Sequence, residues 1–197
     1  MHPLPNYARR IEYLESVAGS VIRTDYYPTS GFGFVSDAFI PQRSWLFLFG
    51  VNYNTETVGL FGANGKPNLV LRTPGRNNDL TGAADRRTHI VYANHVANVD
   101  GTNFQIASYS LPPNFPLRVF NGDPVRLYRL QFQESGSTVR SFVPCRVGQT
   151  GYLWDEVTGA FFGNSGTGNF MLGTDIAEGG VSTLPLRGLW PMGRTRQ

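Results

Sequence analysis

The sequence has a single cysteine, Cys145, and a single lysine, Lys66, among seventeen basic residues; all the other basic residues are arginine. One cysteine excludes an intrachain disulfide, so stability has to come from packing. Charged residues are only 16% of the 197, which is too few for a highly charged disordered tail, while 41% are hydrophobic, enough to build a substantial core. Uninterrupted apolar runs are short as well. The greasiest, WLFLFGV at 45–51, is the length of a strand and far below a membrane span. The opening MHPLPNYARR lacks an apolar signal core and a small-residue cleavage site, so synthesis in the cytoplasm without a secretory leader is expected, as is no membrane partner.

Helix signals are scarce. The 23 glycines and 13 prolines are spread through the chain, and few stretches of three helical turns escape them. Short runs of aromatic and β-branched residues bounded by Gly, Asn, Asp or Pro recur instead, among them FGFVSDAFI, NLVLR, THIVYAN and VRLYRLQFQ. That spacing predicts an all-β, antiparallel two-sheet sandwich. The window 83–100 has neither Gly nor Pro. Val91, Ala93, Ala97 and Val99 share one parity in it, so it reads as two strands turning near Asn94. After residue 174 the periodicity stops, yet Leu184, Leu186, Leu189, Trp190 and Met192 follow. Residues 175–197 therefore read as an arm that docks on the chain's own sandwich or on a neighbouring subunit.

The net charge is +3, but the arginines are scattered, with only Arg9/Arg10 and Arg86/Arg87 adjacent, so no nucleic-acid partner is expected. GNSGTGNF at 163–170 and GANGKP at 62–67 are Gly-rich without the helix and Gly-Lys-Ser/Thr that a phosphate cradle needs. Both read as hairpin turns with positive-φ positions.

A resemblance emerges from the two ends of the chain. Val139-Arg140-Ser141-Phe142-Val143-Pro144-Cys145, then Gly151-Tyr152-Leu153-Trp154-Asp155, Gly159-Ala160-Phe161-Phe162, Asn164 and Gly166-Thr167-Gly168 resemble the closing strands of concanavalin A-like, laminin-G-like jelly rolls. Such jelly rolls occur in bacteriophage tail, fibre and other virion proteins. LPNYARRIEYLESVAGSVIRTDYYPTS, residues 4–30, is similar to the start of the same domains. The sequence departs from the pattern at Trp154 and Phe162, each standing where Tyr is usual. The resemblance implies one sandwich over residues 1–174 with a C-terminal arm, on a virion released from the host cell. It further implies a structural, decoration or tail-fibre module that assembles with virion proteins or with itself and attaches to the host surface. On this reading Asp155 satisfies backbone donors of a corner, Gly159 supplies a positive φ, and Phe161, Phe162 and Phe170 anchor the hairpin.

Catalysis is not expected, and no catalytic, cofactor or metal residue is assigned. A glycosidase needs two facing carboxylates, whereas Glu12 and Glu15 are three residues apart, on opposite faces of a strand, and Asp155 and Glu156 are neighbours in the corner. His89 and His95 are too far apart on a strand or across a hairpin to share a metal. Cys145, in the apolar context FVPC with no adjacent base, reads as an inert buried thiol. The resemblance adds calcium at the rim, with Asn77, Asn78 and Asp79 or Asp100, Thr102 and Asn103 as loop candidates; such turns are ordinary, and no cofactor is expected. The alternative function is a carbohydrate-binding adhesin, with Trp45, Tyr53 or Tyr92 stacking on a host glycan, although such rings more often pack in a core; a polysaccharide hydrolase ranks last for want of the acid pair.

Overall fold

A computed structural model describes residues 1–42, 47–50, 58–62, 67–109, 116–121 and 124–177. Among them there is no helix, and therefore none long and apolar enough to cross a membrane. The strands are β1 (Arg9–Arg10), β2 (Leu14–Glu15), β3 (Ile22–Arg23), β4 (Phe32–Phe39), β5 (Phe47–Gly50), β6 (Gly59–Gly62), β7 (Leu69–Thr73), β8 (Arg76–Leu80), β9 (Arg87–Ala93), β10 (Val96–Val99), β11 (Thr102–Gln105), β12 (Arg118–Asn121), β13 (Arg126–Glu134), β14 (Ser137–Val147), β15 (Thr150–Asp155), β16 (Ala160–Phe162) and β17 (Met171–Leu172). They pair antiparallel into two sheets. The larger runs β11-β10-β9-β4-β13-β14-β15-β16, with β1 on β14 and β2 joining β13 to β17; the smaller runs β3-β12-β5-β6-β7-β8. The expected all-β two-sheet architecture is therefore present.

Alternation along β4 shows how the layers are made. Phe32, Phe34, Ser36 and Ala38 are buried toward the smaller sheet, while Val35, Asp37 and Phe39 face the other way. Rings from the two sheets interlock. Phe34 meets Phe49 edge-on at 4.8 Å, and Phe132 meets Phe49 at 5.5 Å. Burying such a side chain contributes roughly 1.5–3 kcal/mol, with edge-to-face contacts adding to that. Phe47, Phe61 and Val70 form a separate buried cluster on alternate positions of the smaller sheet.

The 83–100 window is a hairpin, as expected, with Asn94 and His95 at φ 49° and 62°. Its parity differs from the expectation. A two-residue turn pairs Tyr92 with Ala97 and Ile90 with Val99, so even positions before the turn share the core with odd positions after it. Val91 and Ala93 consequently lie on the outer face.

The opening segment also differs from the long strands its composition suggested. It forms three two-residue strands because it crosses from β14 to β13 and then to the smaller sheet, exchanging partners each time. Its first residues cover the outer face of β14–β16. Leu4 packs on the buried cluster of Val143, Cys145 and Trp154, and the Trp154 indole N–H donates to the His2 carbonyl at 3.2 Å.

The corner behaves as expected. Asp155 is fully buried, and its Oδ1 accepts from the Ser141 amide at 2.8 Å and the Val157 amide at 3.0 Å. Its Oδ2 accepts from the Thr158 hydroxyl at 2.7 Å and lies 3.5 Å from Arg140 Nε. Gly159 takes φ 70°. Phe162 and Phe170 pack on the main core, but Phe161 points outward against Trp154 at 4.7 Å.

GNSGTGNF is not a hairpin turn, and none of its glycines has positive φ; it links β16 to β17, which pair with different neighbours. Asn164 clamps it to the opening segment. Its Oδ1 accepts from the Val21 and Gly166 amides, and the Thr167 amide donates to the Gly19 carbonyl at 2.9 Å. Gly166 and Gly168 are required there because a Cβ on either would overlap the carbonyl oxygen of Gly19 or Ala18. GANGKP connects the paired β6 and β7, and residues 63–66 lie outside the described residues.

Pairing with the sandwich extends slightly beyond residue 174. Asp175 bridges Ile11 and forks onto Arg146 at 2.5 and 2.7 Å, and the Ile176 amide donates to the Arg10 carbonyl.

Candidate functional site

The strands that build the candidate site meet on the outer face of the larger sheet, and an irregularity in β13 shapes it. Leu127 pairs with Ala38 but Arg129 pairs with Asp37, which leaves Tyr128 as an extra residue in the strand. This bulge places Tyr128 and Arg129 consecutively on the outer side, opposite Asp37. Segment 10–12 runs beside 174–176, with the Glu12 amide donating to the Thr174 carbonyl at 2.8 Å, and closes the other wall. The resulting cleft has a volume of about 350 Å³. Arg10, Glu12, Asp37, Arg87, Tyr128 and Arg129 line it, with Ile176 as an apolar contribution.

Its carboxylates are engaged. Asp37 Oδ1 lies 2.8 Å from His89 Nδ1, and Glu12 accepts from the Thr174 hydroxyl at 3.4 Å. Nearby, Glu15 pairs with Arg126, and Glu156 accepts from the Ser141 hydroxyl at 2.8 Å. The cations are less committed. The Arg87 guanidinium sits 4.0 Å over the Tyr128 ring, and among the described residues neither Arg87 nor Arg10 has a carboxylate partner. Arg129 reaches Glu156 only at 3.6 Å, and its Nε is shut off from solvent without an acceptor.

The hydrogen bond to Asp37 holds the His89 pKa above its ordinary 6.5, burial opposes this, and the Asp37 and Asp100 charges reinforce it. Charged His89 thus stabilises the folded chain. That contribution is complete below the unfolded value and fades as the pH rises through the raised folded value. His89 is about half exposed (49%), so the effect is small. In urea titrations from about pH 5 to about pH 9, the stability advantage of the native chain over His89→Gln should be largest at the acidic end. An advantage that is flat or grows with pH contradicts the pairing.

Of the expected glycan-stacking rings, Tyr92 is a core residue, 1% exposed, with its hydroxyl donating to that of Tyr109 at 3.0 Å. It offers no face to a sugar, because it alternates with outward-facing Val91 and Ala93. Trp45 and Tyr53 lie outside the described residues, as do Leu184, Leu186, Leu189, Trp190 and Met192. His95 sits at the hairpin turn, edge-on to Tyr109 at 5.6 Å, and does not meet His89.

Of the calcium candidates, Asn78, Asp100 and Asn103 make internal side-chain contacts. Asn77, Asn78 and Asp79 are in β8 and not in a loop, with the Asn78 amide donating to the Leu71 carbonyl. Asp100 accepts from the His89 amide and pairs with Arg86, and Asn103 accepts from Asn98. Among the described residues no group of three or more His, Cys, Asp or Glu side chains could hold a metal ion. Cys145 is buried, and burial pushes its thiol up to about 12.

Tyr128, Arg129 and Arg87 were not singled out from the sequence. A signal was present: in VRLYRLQFQ the apolar positions run 125, 127, then 130, 132, and that change of parity is what an inserted residue produces. In comparison with known proteins, no family model matches the chain and no curated protein is significantly similar to it.

Proposed function

We propose that the chain is a non-catalytic binding module of a bacteriophage-type virion, a decoration or tail-fibre component that assembles with other virion proteins or with its own copies. Its outer face meets the host surface. The virion setting rests on the resemblance at the two ends of the chain. The observation that carries the binding role is the open outer-face cleft, whose carboxylates are already engaged while two of its arginines, Arg10 and Arg87, have no carboxylate partner among the described residues. Hydrolysis of a glycosidic bond needs one carboxyl kept as acid and another poised as base or nucleophile, a task at odds with Asp37 held by His89. The resemblance motifs support the same division of labour. Asp155 and Asn164 are consumed in holding the corner and the β16–β17 link, which leaves the outer face for partners.

The arm supplies the assembly contact in this reading. Leu186→Ser combined with Trp190→Ser in the full chain is expected to leave the melting temperature unchanged and to abolish incorporation into particles. Unchanged incorporation would remove the assembly role from the arm. The adhesin reading is favoured by one further observation: Tyr128 and Tyr13 lie edge to face at 5.6 Å, half-buried beside the cleft, with arginines over both rings.

A further inference from the structure

We propose that the outer-face cleft binds a carboxylate-bearing sugar unit of a surface polysaccharide, with Arg10, Arg87 and Arg129 as its anion-binding side chains. The inference rests on the reading of the chain as a binding module and names the ligand class of that same cleft. Three arginines line the cleft of about 350 Å³, each from a different strand, β1, β9 and β13. Two of them have no carboxylate partner among the described residues, and the third, Arg129, is 40% exposed and reaches Glu156 only at 3.6 Å. A planar carboxylate accepting from an exposed guanidinium fork makes two charge-assisted hydrogen bonds at once.

The rest of the lining selects among anions. Glu12 and Asp37 stand in the same cleft, so a ligand made only of negative charge meets repulsion beside its attraction. A sugar acid presents one carboxylate to the arginines and hydroxyl donors to Glu12 and Asp37, and its C–H face can rest on Tyr128 and Ile176. Nucleic acid is a poorer match. It needs a track of cations following successive phosphates, whereas the outer face interrupts its arginines with Asp37, Asp100 and Glu12. The cleft is also bounded, which suits a local unit of a chain over a long charged backbone.

The test is affinity electrophoresis of the full chain through gels containing polygalacturonate, alginate or hyaluronate. The comparison gels contain the carboxyl-reduced forms of these polymers, dextran sulfate, or a single-stranded DNA oligonucleotide. Retardation by at least one carboxylated polymer and not by its reduced form is expected. Arg10→Gln and Arg87→Gln should each weaken it about tenfold, the loss of one forked carboxylate contact, at an unchanged melting temperature. Arg87→Lys, which keeps the charge and loses the fork, should fall between. Arg86→Gln, already paired with Asp100 outside the cleft, should bind like the native chain. The proposal is overturned if no carboxylated polymer retards the chain, or if dextran sulfate or DNA does so equally and only at low salt. It is also overturned if both glutamine variants bind normally. New reducing ends in the gel would leave the ligand class standing and refute the non-catalytic reading instead.

Discussion

Asp155→Ala is expected to lower the unfolding free energy by about 3–5 kcal/mol, the scale of breaking a buried, hydrogen-bonded charge pair. The Asp155 side chain is completely enclosed and serves four groups: the amides of Ser141 and Val157, the hydroxyl of Thr158 and the Arg140 guanidinium. Alanine leaves three donors without their acceptor and removes the charge facing Arg140, whose Nε is buried with no hydrogen-bond partner even in the native chain. Asp155→Asn should cost less, about 1–3 kcal/mol, because Oδ1 still accepts from both amides while the charge facing Arg140 is gone. Urea unfolding reads the difference as a shift in midpoint at constant slope. An alanine variant within about 1 kcal/mol of the native chain would show that the β14–β15 ladder holds the corner without the carboxylate.

Phe132→Ala is expected to cost a similar amount, about 3–5 kcal/mol, for a different reason. Phe132 has no exposure and stands at the centre of the sandwich. Its ring stacks on Tyr26 at 5.1 Å and meets Phe32, Phe49 and Phe142 at 5.5–5.8 Å, so rings from both sheets would face the cavity left by alanine. Phe132→Leu, which keeps most of the volume, should cost about 1–2 kcal/mol. With the stability of a domain in the range of about 5–15 kcal/mol, the alanine variant is expected to show a much lowered melting temperature, and its combination with Asp155→Ala to be largely unfolded. A melting temperature for Phe132→Ala within a few degrees of native would mean that the two layers do not share this core.

What could be read from the sequence was what local chemistry decides. Runs of aromatic and β-branched residues between Gly, Asn and Pro mark strands, and the sheet assignment held because two buried faces need that alternation. Asp155 was legible because a carboxylate just before a turn has amides in reach, and Gly159 because the turn demands positive φ. Partner choice was not legible. The opening segment reads as long strands, yet it forms pairs of residues that hop between neighbours, and nothing local specifies those neighbours.

The same limit explains the site. Tyr92 looks like an exposed ring in sequence because its parity relative to Ala97 depends on a two-residue turn, and the register places both in the core. The Gly-rich 163–170 stretch looks like a turn, whereas its glycines answer to the carbonyls of Gly19 and Ala18, well over a hundred residues earlier in the chain. Arg10, Arg87 and Arg129 are scattered in sequence and meet only because β1, β9 and β13 bring them to one face. Scattered arginines argue against a basic track, but the spacing along a chain says little about convergence across strands.

The most direct measurement of the central claim, that the outer face recognises a partner without breaking bonds, is a paired assay on one sample. The full chain is incubated with each carboxylated polysaccharide, and both retention on the polymer and the appearance of reducing ends are followed. Retention without new ends, with Glu12→Gln and Asp37→Asn changing affinity only, is the predicted result. Reducing ends that accumulate with the native chain and disappear with either of those variants would contradict it.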